Sequence, residues 1–224
     1  MTFFDQLKHS TEPERQALFA LPIIQDALQG KVVTAQYIAF LSQAYHHVRH
    51  TVPLMMACGS RLGSQYEWLR EAIAEYIEEE LGHQEWILSD IAACGGDAEA
   101  VRRSQPHAST ELMVAYAYHQ IDRGNPVGFF GMVHVLEGTS TALATHAADT
   151  IRASLSLPPE AFSYLSSHGS LDLEHVAFFE RLVNRLDNDA DRQAVIHVAR
   201  MMYGLYGGVF SALPQGEQLF EQAA

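Results

Sequence analysis

The residues with the most evident chemical potential lie between His168 and His175. Written as a helix, His168, Asp172 and His175 occupy positions i, i+4 and i+7, so all three project from one side. Apolar residues such as Leu165 and Phe179 share that side, so a core-facing stripe carries two imidazoles and a carboxylate. Burying such groups is costly unless they are paired or bound to a metal. For this segment alone, a hydrogen-bonded His–Asp pair and a metal site both remain open.

Two further helical segments carry acidic or imidazole groups within apolar stripes. Between residues 64 and 95, Glu80 lies near the centre of a stripe and His83 at its edge, which gives a Glu-x-x-His motif on consecutive turns. In the segment that begins near residue 125, Glu137 lies within a third stripe. One buried ionisable residue has many explanations, whereas six on three helices require a common partner.

The six residues form a mixed oxygen and nitrogen donor set. Carboxylate oxygens with imidazole suit iron or manganese, whereas a structural zinc site more often includes thiolates. Two divalent ions bring four positive charges against three carboxylates, which leaves room for a hydroxide or an oxygen-derived ligand. Spreading six ligands over two ions also leaves coordination positions open in the core of a helix bundle. The predicted metal ligands are Glu80, His83, Glu137, His168, Asp172 and His175.

Composition limits the class of protein. The chain has 224 residues, 48% of them hydrophobic, and 14 basic against 27 acidic residues give a net charge of −13. This acidic balance argues against nucleic acid or an anionic membrane as the main partner. Two well-separated cysteines, Cys58 and Cys94, predict a reducing compartment without disulfides. No signal-peptide pattern or membrane-length apolar run is seen, so we expect a cytoplasmic protein.

Helix capping patterns and apolar stripes extend along the whole chain. Thr34 is predicted to start a long helical segment that reaches about Gly63, with a kink or break at Pro53. A second long helix is predicted across residues 64–95. No stretch alternates polar and apolar residues with a period of two. We therefore predict an all-α fold of about seven to nine helices, in one domain that covers residues 1–224.

The order of the motifs resembles that of the haem-oxygenase-like di-metal oxidases and oxygenases, within the superfamily of the TenA thiaminase and the pyrroloquinoline-quinone synthase. A ferritin-like site would need a second Glu-x-x-His, but Glu137-Gly-Thr-Ser140 ends in serine. The resemblance implies a haem-oxygenase-like helical bundle that binds two irons, with manganese as an alternative. It also implies activation of dioxygen on a small organic substrate. Family members differ in how they complete the ligand set at the position of His175. The residues that carry the resemblance are Glu80-x-x-His83, Glu137 and His168-x-x-x-Asp172-x-x-His175.

Other functions of the same superfamily remain open. A TenA-type hydrolase would use a cysteine nucleophile, for which only Cys58 and Cys94 are available. A haem oxygenase would need a proximal histidine on the first helix, where His9 is the candidate. A cofactor-free oxidase would use core histidines and an arginine. A non-catalytic metal-binding or interaction protein of this fold is the last alternative.

Four residues beside apolar stripes are candidates for a substrate pocket, although aromatic residues at helical spacing more often belong to a plain core. Arg200 is expected on the inward side of its helix, where it would anchor an anionic substrate group, pair with a core acid or extend its side chain to the surface. The expected partners are a small-molecule substrate and, as an open alternative, a second copy of the chain in a homodimer. The candidates are His47, Tyr45, Arg200 and Tyr203.

Overall fold

Helices make up the regular structure of the protein. The structure, a computed structural model, describes residues 1–214, apart from the side chains of residues 168–175. Within residues 1–214 there are eleven α-helices, three short 3-10 helices and no strand, and no helix there is long and apolar enough to cross a membrane. The α-helices are α1 (Phe3–Phe19), α2 (Pro22–Leu28), α3 (Thr34–Val48), α4 (Thr51–Arg61), α5 (Glu67–Glu80), α6 (His83–Ala93), α7 (Ala98–Arg103), α8 (Ala108–Arg123), α9 (Phe129–Leu155), α10 (Ser163–Val183) and α11 (Asp189–Ser211).

The all-α prediction is confirmed, and the kink or break predicted at Pro53 is a break between two helices. α3 ends at Val48 and α4 begins at Thr51, so the break lies at Arg49 and His50. Pro53 has no N–H and cannot donate to the carbonyl of Arg49, four residues earlier, whereas a proline is tolerated in the first turn of the helix that follows. Breaks of this kind raise the number of helices above the seven to nine that we predicted.

The helix predicted across residues 64–95 is also interrupted, between Glu80 and His83. Leu81 leaves the helical conformation with ψ of 118°, and Gly82 has φ of 93°, in the left-handed region that favours glycine. α5 therefore ends at Glu80 and α6 begins at His83. The prediction that these two residues lie on consecutive turns of one helix is wrong, because the chain turns at Gly82.

α9 is held closely against its neighbours in the hydrophobic core. It packs mainly against α10 and α11, and α11 packs in turn against α1. At Gly131 the backbones of α9 and α11 nearly touch, since a Cβ there would lie 2.6 Å from the backbone nitrogen of Ala199 and closer still to the carbonyl oxygen of Val195. Only glycine permits this approach. The close packing fixes the helix that carries Glu137.

The start of α10 is fixed by Asp90, a fully buried residue of α6. Its carboxylate accepts hydrogen bonds from the backbone N–H groups of Ser163 (3.1 Å) and Tyr164 (2.9 Å), and from the Ser163 hydroxyl. The first N–H groups of a helix have no partner within the helix, so Asp90 satisfies them from outside. Burial raises the pKa of Asp90, and the three hydrogen bonds oppose part of that rise. Asp90 thereby ties α6 to α10.

Candidate functional site

Glu80 and His83 meet across the break between α5 and α6. The Nδ1 atom of His83 lies 3.0 Å from Oε2 of Glu80, within hydrogen-bonding distance. Only 4% of the His83 side chain and 15% of the Glu80 side chain are exposed. The ring of Trp86 covers the imidazole, with ring centroids 4.1 Å apart. The turn at Gly82 therefore sets an acid at the end of one helix against an imidazole at the start of the next.

Glu80 and Glu137 border one cavity of about 90 Å³, which we call the central cavity. Its wall is formed by side chains of α3, α4, α5, α9, α10 and α11. The structure thus brings together two of the acids that the sequence placed on separate helices. The polar side chains that border the central cavity are His47, Thr51, Glu80, Glu137, Ser140, Tyr164 and Tyr206.

Tyr76 supports this pair of acids from within α5. Its side chain is buried, and burial together with the charge of Glu137 raises the pKa of Tyr76 far above its usual value. The phenol therefore stays protonated beside the Glu137 carboxylate. Helical periodicity places Tyr76 in the core but does not predict its position beside Glu137. Its position four residues before Glu80 on the same helical stripe was the available signal.

A second cavity also reaches Glu137. This lateral cavity, of about 300 Å³, lies among α1, α9, α10 and α11 and is bordered by Lys8, Arg15, His134, Glu137 and Tyr203, among others. Burial lowers the pKa of His134 to about 4, so its imidazole is neutral at neutral pH. Glu137 is therefore accessible from two cavities, and a reactive centre at this residue would have two routes of approach.

Three of the predicted ligands lie on α10, and their side chains fall outside the described residues, so their role stays a prediction: His168, Asp172 and His175. The path of the helix is nevertheless informative. Tyr164, near the start of α10, borders the central cavity, and Val176 borders the lateral cavity. Glu137 contacts both of these cavities. The predicted ligands therefore belong to the stretch of α10 between two positions that face cavities at Glu137.

The four residues predicted for a substrate pocket do not line the same cavity. His47 borders the central cavity, where its ring meets that of Tyr206 edge-on with centroids 5.9 Å apart. Tyr203 borders the lateral cavity instead. Tyr45 is buried against the ring of His46 and borders neither cavity. The structure thus brings only His47 into the cavity that contains both acids, and its role there stays a prediction.

The inward orientation predicted for Arg200 is wrong, and the alternative that its side chain extends to the surface is confirmed. Half of its side chain is exposed, and its Nε and Nη2 atoms donate to the carbonyl oxygen of Ser10 in α1, at 3.0 and 2.8 Å. Glu14 lies 3.6 Å away. Arg200 neighbours the buried residue Ala199 on α11, but its long side chain extends out of the core to the surface of α1.

Replacing Arg200 with leucine should therefore have a small effect. We expect the free energy of unfolding to fall by no more than about 1 kcal/mol, because an exposed ion pair and a hydrogen bond to a carbonyl each contribute little. Urea denaturation of the two proteins measures the difference. A loss of several kcal/mol would instead point to the buried charge pair that the sequence suggested.

The cysteines and His9 do not favour the alternative chemistries. Cys58 is buried and its Sγ donates to the carbonyl oxygen of Pro126 at 3.3 Å, and burial raises its pKa to about 12. Burial likewise raises the pKa of Cys94 to about 11. A nucleophilic cysteine needs a lowered pKa and access to a pocket, and neither residue has them. His9 is exposed on α1 and borders neither the central nor the lateral cavity.

Comparison with known proteins identifies the family. A family model described as "iron-containing redox enzyme" matches residues 38–207, a range that includes Glu80, His83 and Glu137. The chain belongs to the iron-containing redox enzyme family. No curated protein matches the sequence.

Solved structures of similar proteins show the fold of this member of the iron-containing redox enzyme family. A domain of unknown function with a heme oxygenase-like fold, from Shewanella denitrificans, is 25% identical with a TM-score of 0.86, covering 100% of this chain and 97% of that one. A TenA homologue from Pseudomonas syringae is 12% identical, with a TM-score of 0.77 and coverage of 93% and 91%. Heme oxygenase-1 from Synechocystis, in complex with heme, is 10% identical, with a TM-score of 0.76 and coverage of 100% and 96%. The predicted haem-oxygenase-like fold is thus confirmed.

The family implies iron, and the described side chains fit this metal in donor type. Glu80 and Glu137 offer carboxylate oxygens at one cavity and His83 offers an imidazole nitrogen, a set that suits iron. Within the part of the chain whose side chains are described, no three His, Cys, Asp or Glu residues form a metal-binding group by themselves. A complete iron site would therefore need further donors, which the resemblance assigns to α10.

Proposed function

We propose that the protein is a non-haem di-iron oxidase or oxygenase that activates dioxygen on a small organic substrate. The observation that supports this function best is that Glu80 and Glu137, from different helices, border one small cavity beside the imidazole of His83. Two carboxylates in such a cavity repel one another and need a compensating positive charge. Metal ions would supply that charge.

In the proposed site, three residues on α10 complete a set that begins with Glu80, His83 and Glu137. Bound iron would supply the redox chemistry, and manganese is the alternative metal. The protein itself orients and shields these donors. The buried, protonated phenol of Tyr76 lies beside the Glu137 carboxylate. Apolar side chains complete the wall of the central cavity: Val48, Leu54, Met55, Phe129, Met132, Val133 and Leu136.

The alternative functions receive less support from the positions of their key residues. A TenA-type hydrolase would need a reactive cysteine, and a cofactor-free oxidase would need the core arginine that Arg200 does not provide. A non-catalytic metal-binding protein would share the ligand set but would consume no dioxygen.

We also propose a small-molecule partner and a cytoplasmic location from the sequence alone, and a homodimer remains an open expectation.

Metal binding should stabilise the folded protein. Adding Fe(II) without oxygen to metal-free protein is expected to raise the melting temperature, because the metal relieves repulsion between Glu80 and Glu137 and binds the native state. At free metal about 100 times the Kd, linkage gives about 2.7 kcal/mol, or roughly 5–10 °C for a chain of this size. Differential scanning fluorimetry or calorimetry measures this shift.

A matched pair of variants makes the stabilisation test specific. Glu80→Gln should lose most of the rise in melting temperature, since an amide replaces a carboxylate ligand. Glu78→Gln should keep the full rise, because Glu78 is exposed on the same helix. If the wild-type protein melts at the same temperature with Fe(II), Mn(II) and Zn(II) as without them, the cluster is a hydrogen-bonded core network.

A further inference from the structure

A third cavity, of about 110 Å³, adjoins the central cavity, and we call it the apolar cavity. Ser140, Tyr164 and Tyr206 border both cavities, so the two share a common wall of three side chains. The rest of the apolar cavity is bordered almost entirely by hydrocarbon side chains, which include Ile23, Ala27, Leu28, Phe40, Leu143 and Ile151. The central cavity, which two acids border, therefore lies next to a cavity whose wall is mostly hydrocarbon.

One stripe of α9 borders both cavities in succession. Glu137, Ser140, Ala144, Ala147 and Ile151 follow one another at steps of three and four residues, so they lie on one side of the helix. The distance from Glu137 to Ile151 is about 21 Å along the helix axis. The stripe begins at a carboxylate, continues through small side chains and ends at a branched aliphatic residue. The two cavities that it borders therefore follow one another along the helix axis.

Two polar side chains in the wall of the apolar cavity already form hydrogen bonds within the protein. Gln36 donates from Nε2 to the carbonyl oxygen of Pro214 at 3.0 Å, and its Oε1 accepts from the N–H of Val33 at 3.0 Å. The hydroxyl of Tyr37 donates to the carbonyl oxygen of Ala161 at 2.9 Å. These groups offer little to a charged guest, and burying an unpaired charge beside them would be costly.

Thr139 differs from those polar groups. Its hydroxyl is buried, borders the apolar cavity and has no hydrogen-bond partner among the described residues. Buried hydroxyls almost always have a partner. Thr139 is adjacent to Ser140, where the two cavities meet. The hydroxyl therefore favours a guest whose polar end lies close to this junction rather than deep in the apolar cavity.

We propose that the substrate is a single-chain aliphatic molecule with one polar end, held with its hydrocarbon chain in the apolar cavity and its polar end in the central cavity. The oxidation of this molecule rests on the proposed function, whereas its binding does not require a metal. Ser140 leaves the junction between the two cavities open, because its small side chain occupies the position at which a second Glu-x-x-His motif would have an imidazole. A free amino acid, with two charges at one end and little hydrocarbon, would leave the apolar cavity unfilled.

Chain length is the property that tests this proposal. Isothermal titration calorimetry of the protein without added metal would use two series of probes, n-alkylamines and n-alcohols from butyl to decyl. We expect the affinity in both series to increase roughly fourfold for each added methylene, as hydrocarbon leaves water, and then to level off when the cavity is full. Amines should bind more tightly than alcohols of equal length, because Glu80 and Glu137 attract a cation.

Two variants of α9 should change this profile in opposite directions. Ala147→Phe fills the apolar cavity, so decyl probes should lose at least about tenfold in affinity while butyl probes change little. Ile151→Ala lengthens the cavity, so the levelling-off should move to longer chains even if the variant is less stable. The matched control is Ala142→Phe, the same substitution at an exposed position of α9 beside the lateral cavity. It should leave the profile unchanged.

The possible outcomes separate this proposal from the proposed function. A wild-type affinity that does not depend on chain length would overturn the proposal. Profiles that Ala147→Phe and Ile151→Ala leave identical to those of the control would also overturn it. If the profile shifts as expected but the protein binds no iron, the proposed function fails and the ligand class stands. If iron binds but the profile is flat, only the ligand class fails.

Discussion

Replacing Glu137 with alanine is expected to abolish dioxygen consumption and to remove at least half of the bound iron. Glu137 borders both the central and the lateral cavity, and it is the one predicted ligand on α9. Loss of a residue that merely supports a metal ligand typically costs 10–100-fold, so loss of a ligand should lower activity by at least about 100-fold. An oxygen electrode, with Fe(II) and a substrate found by the chain-length titration, measures the rate.

The fold should survive this substitution, which makes the result interpretable. Alanine is a good helix former, and removing Glu137 relieves its repulsion with Glu80. Circular dichroism and the melting temperature check the fold. Asp149→Ala is the control, because Asp149 is exposed on the same helix and pairs only with Arg152 at 3.3 Å among described salt bridges. Normal iron content and activity in Glu137→Ala would rule out Glu137 as a ligand.

Replacing Asp90 with alanine is expected to lower the free energy of unfolding by about 3 kcal/mol or more. The change leaves three donors at the start of α10 without their acceptor: two backbone N–H groups and the Ser163 hydroxyl. A buried donor without a partner costs about 1–3 kcal/mol. Since Tyr164 borders the central cavity, the change should also weaken iron binding. Urea denaturation and iron analysis measure the two effects.

Asp97 offers a control with the same chemical role at the surface. Its carboxylate accepts from the N–H of Ala100 at 2.9 Å and caps the start of α7, where both groups are exposed. Asp97→Ala should cost about 1 kcal/mol, as is usual for loss of a helix cap, and should not affect iron. Equal losses of stability in the two variants would show that the burial of Asp90 and its link from α6 to α10 add no stability beyond that of an exposed helix cap.

Helical periodicity was sufficient to predict the all-α fold and to select Glu80, His83 and Glu137 as interior residues. All three have buried or partly buried side chains, and their spacing within apolar stripes carried that information. The break at Gly82 was not predictable in the same way. A single glycine inside a helical pattern is compatible with a continuous helix. The two helices that meet at Gly82 have different neighbours, since α5 packs against α4 and α6 against α3.

Interactions between distant parts of the chain were the second feature that could not be predicted from the sequence. Asp90 and Ser163 are 73 residues apart, and no local pattern connects a buried aspartate in one helix with the first turn of another. Arg200 shows the opposite case, because periodicity placed it near the core while the length of its side chain carried the charge outward. Cavities depend on how side chains from several helices fit together, so neither the central nor the apolar cavity could be predicted from the sequence.

The most direct test of the proposed di-iron site is the amount and state of iron in the intact protein. Metal-free protein would be reconstituted without oxygen using isotopically enriched Fe(II), freed of unbound metal and analysed by metal determination and Mössbauer spectroscopy before and after exposure to oxygen. The proposed site predicts about two irons per chain, present as a magnetically coupled pair whose spectrum changes on exposure to oxygen. Less than about half an equivalent of iron, with no spectral change on oxygen exposure, would contradict it.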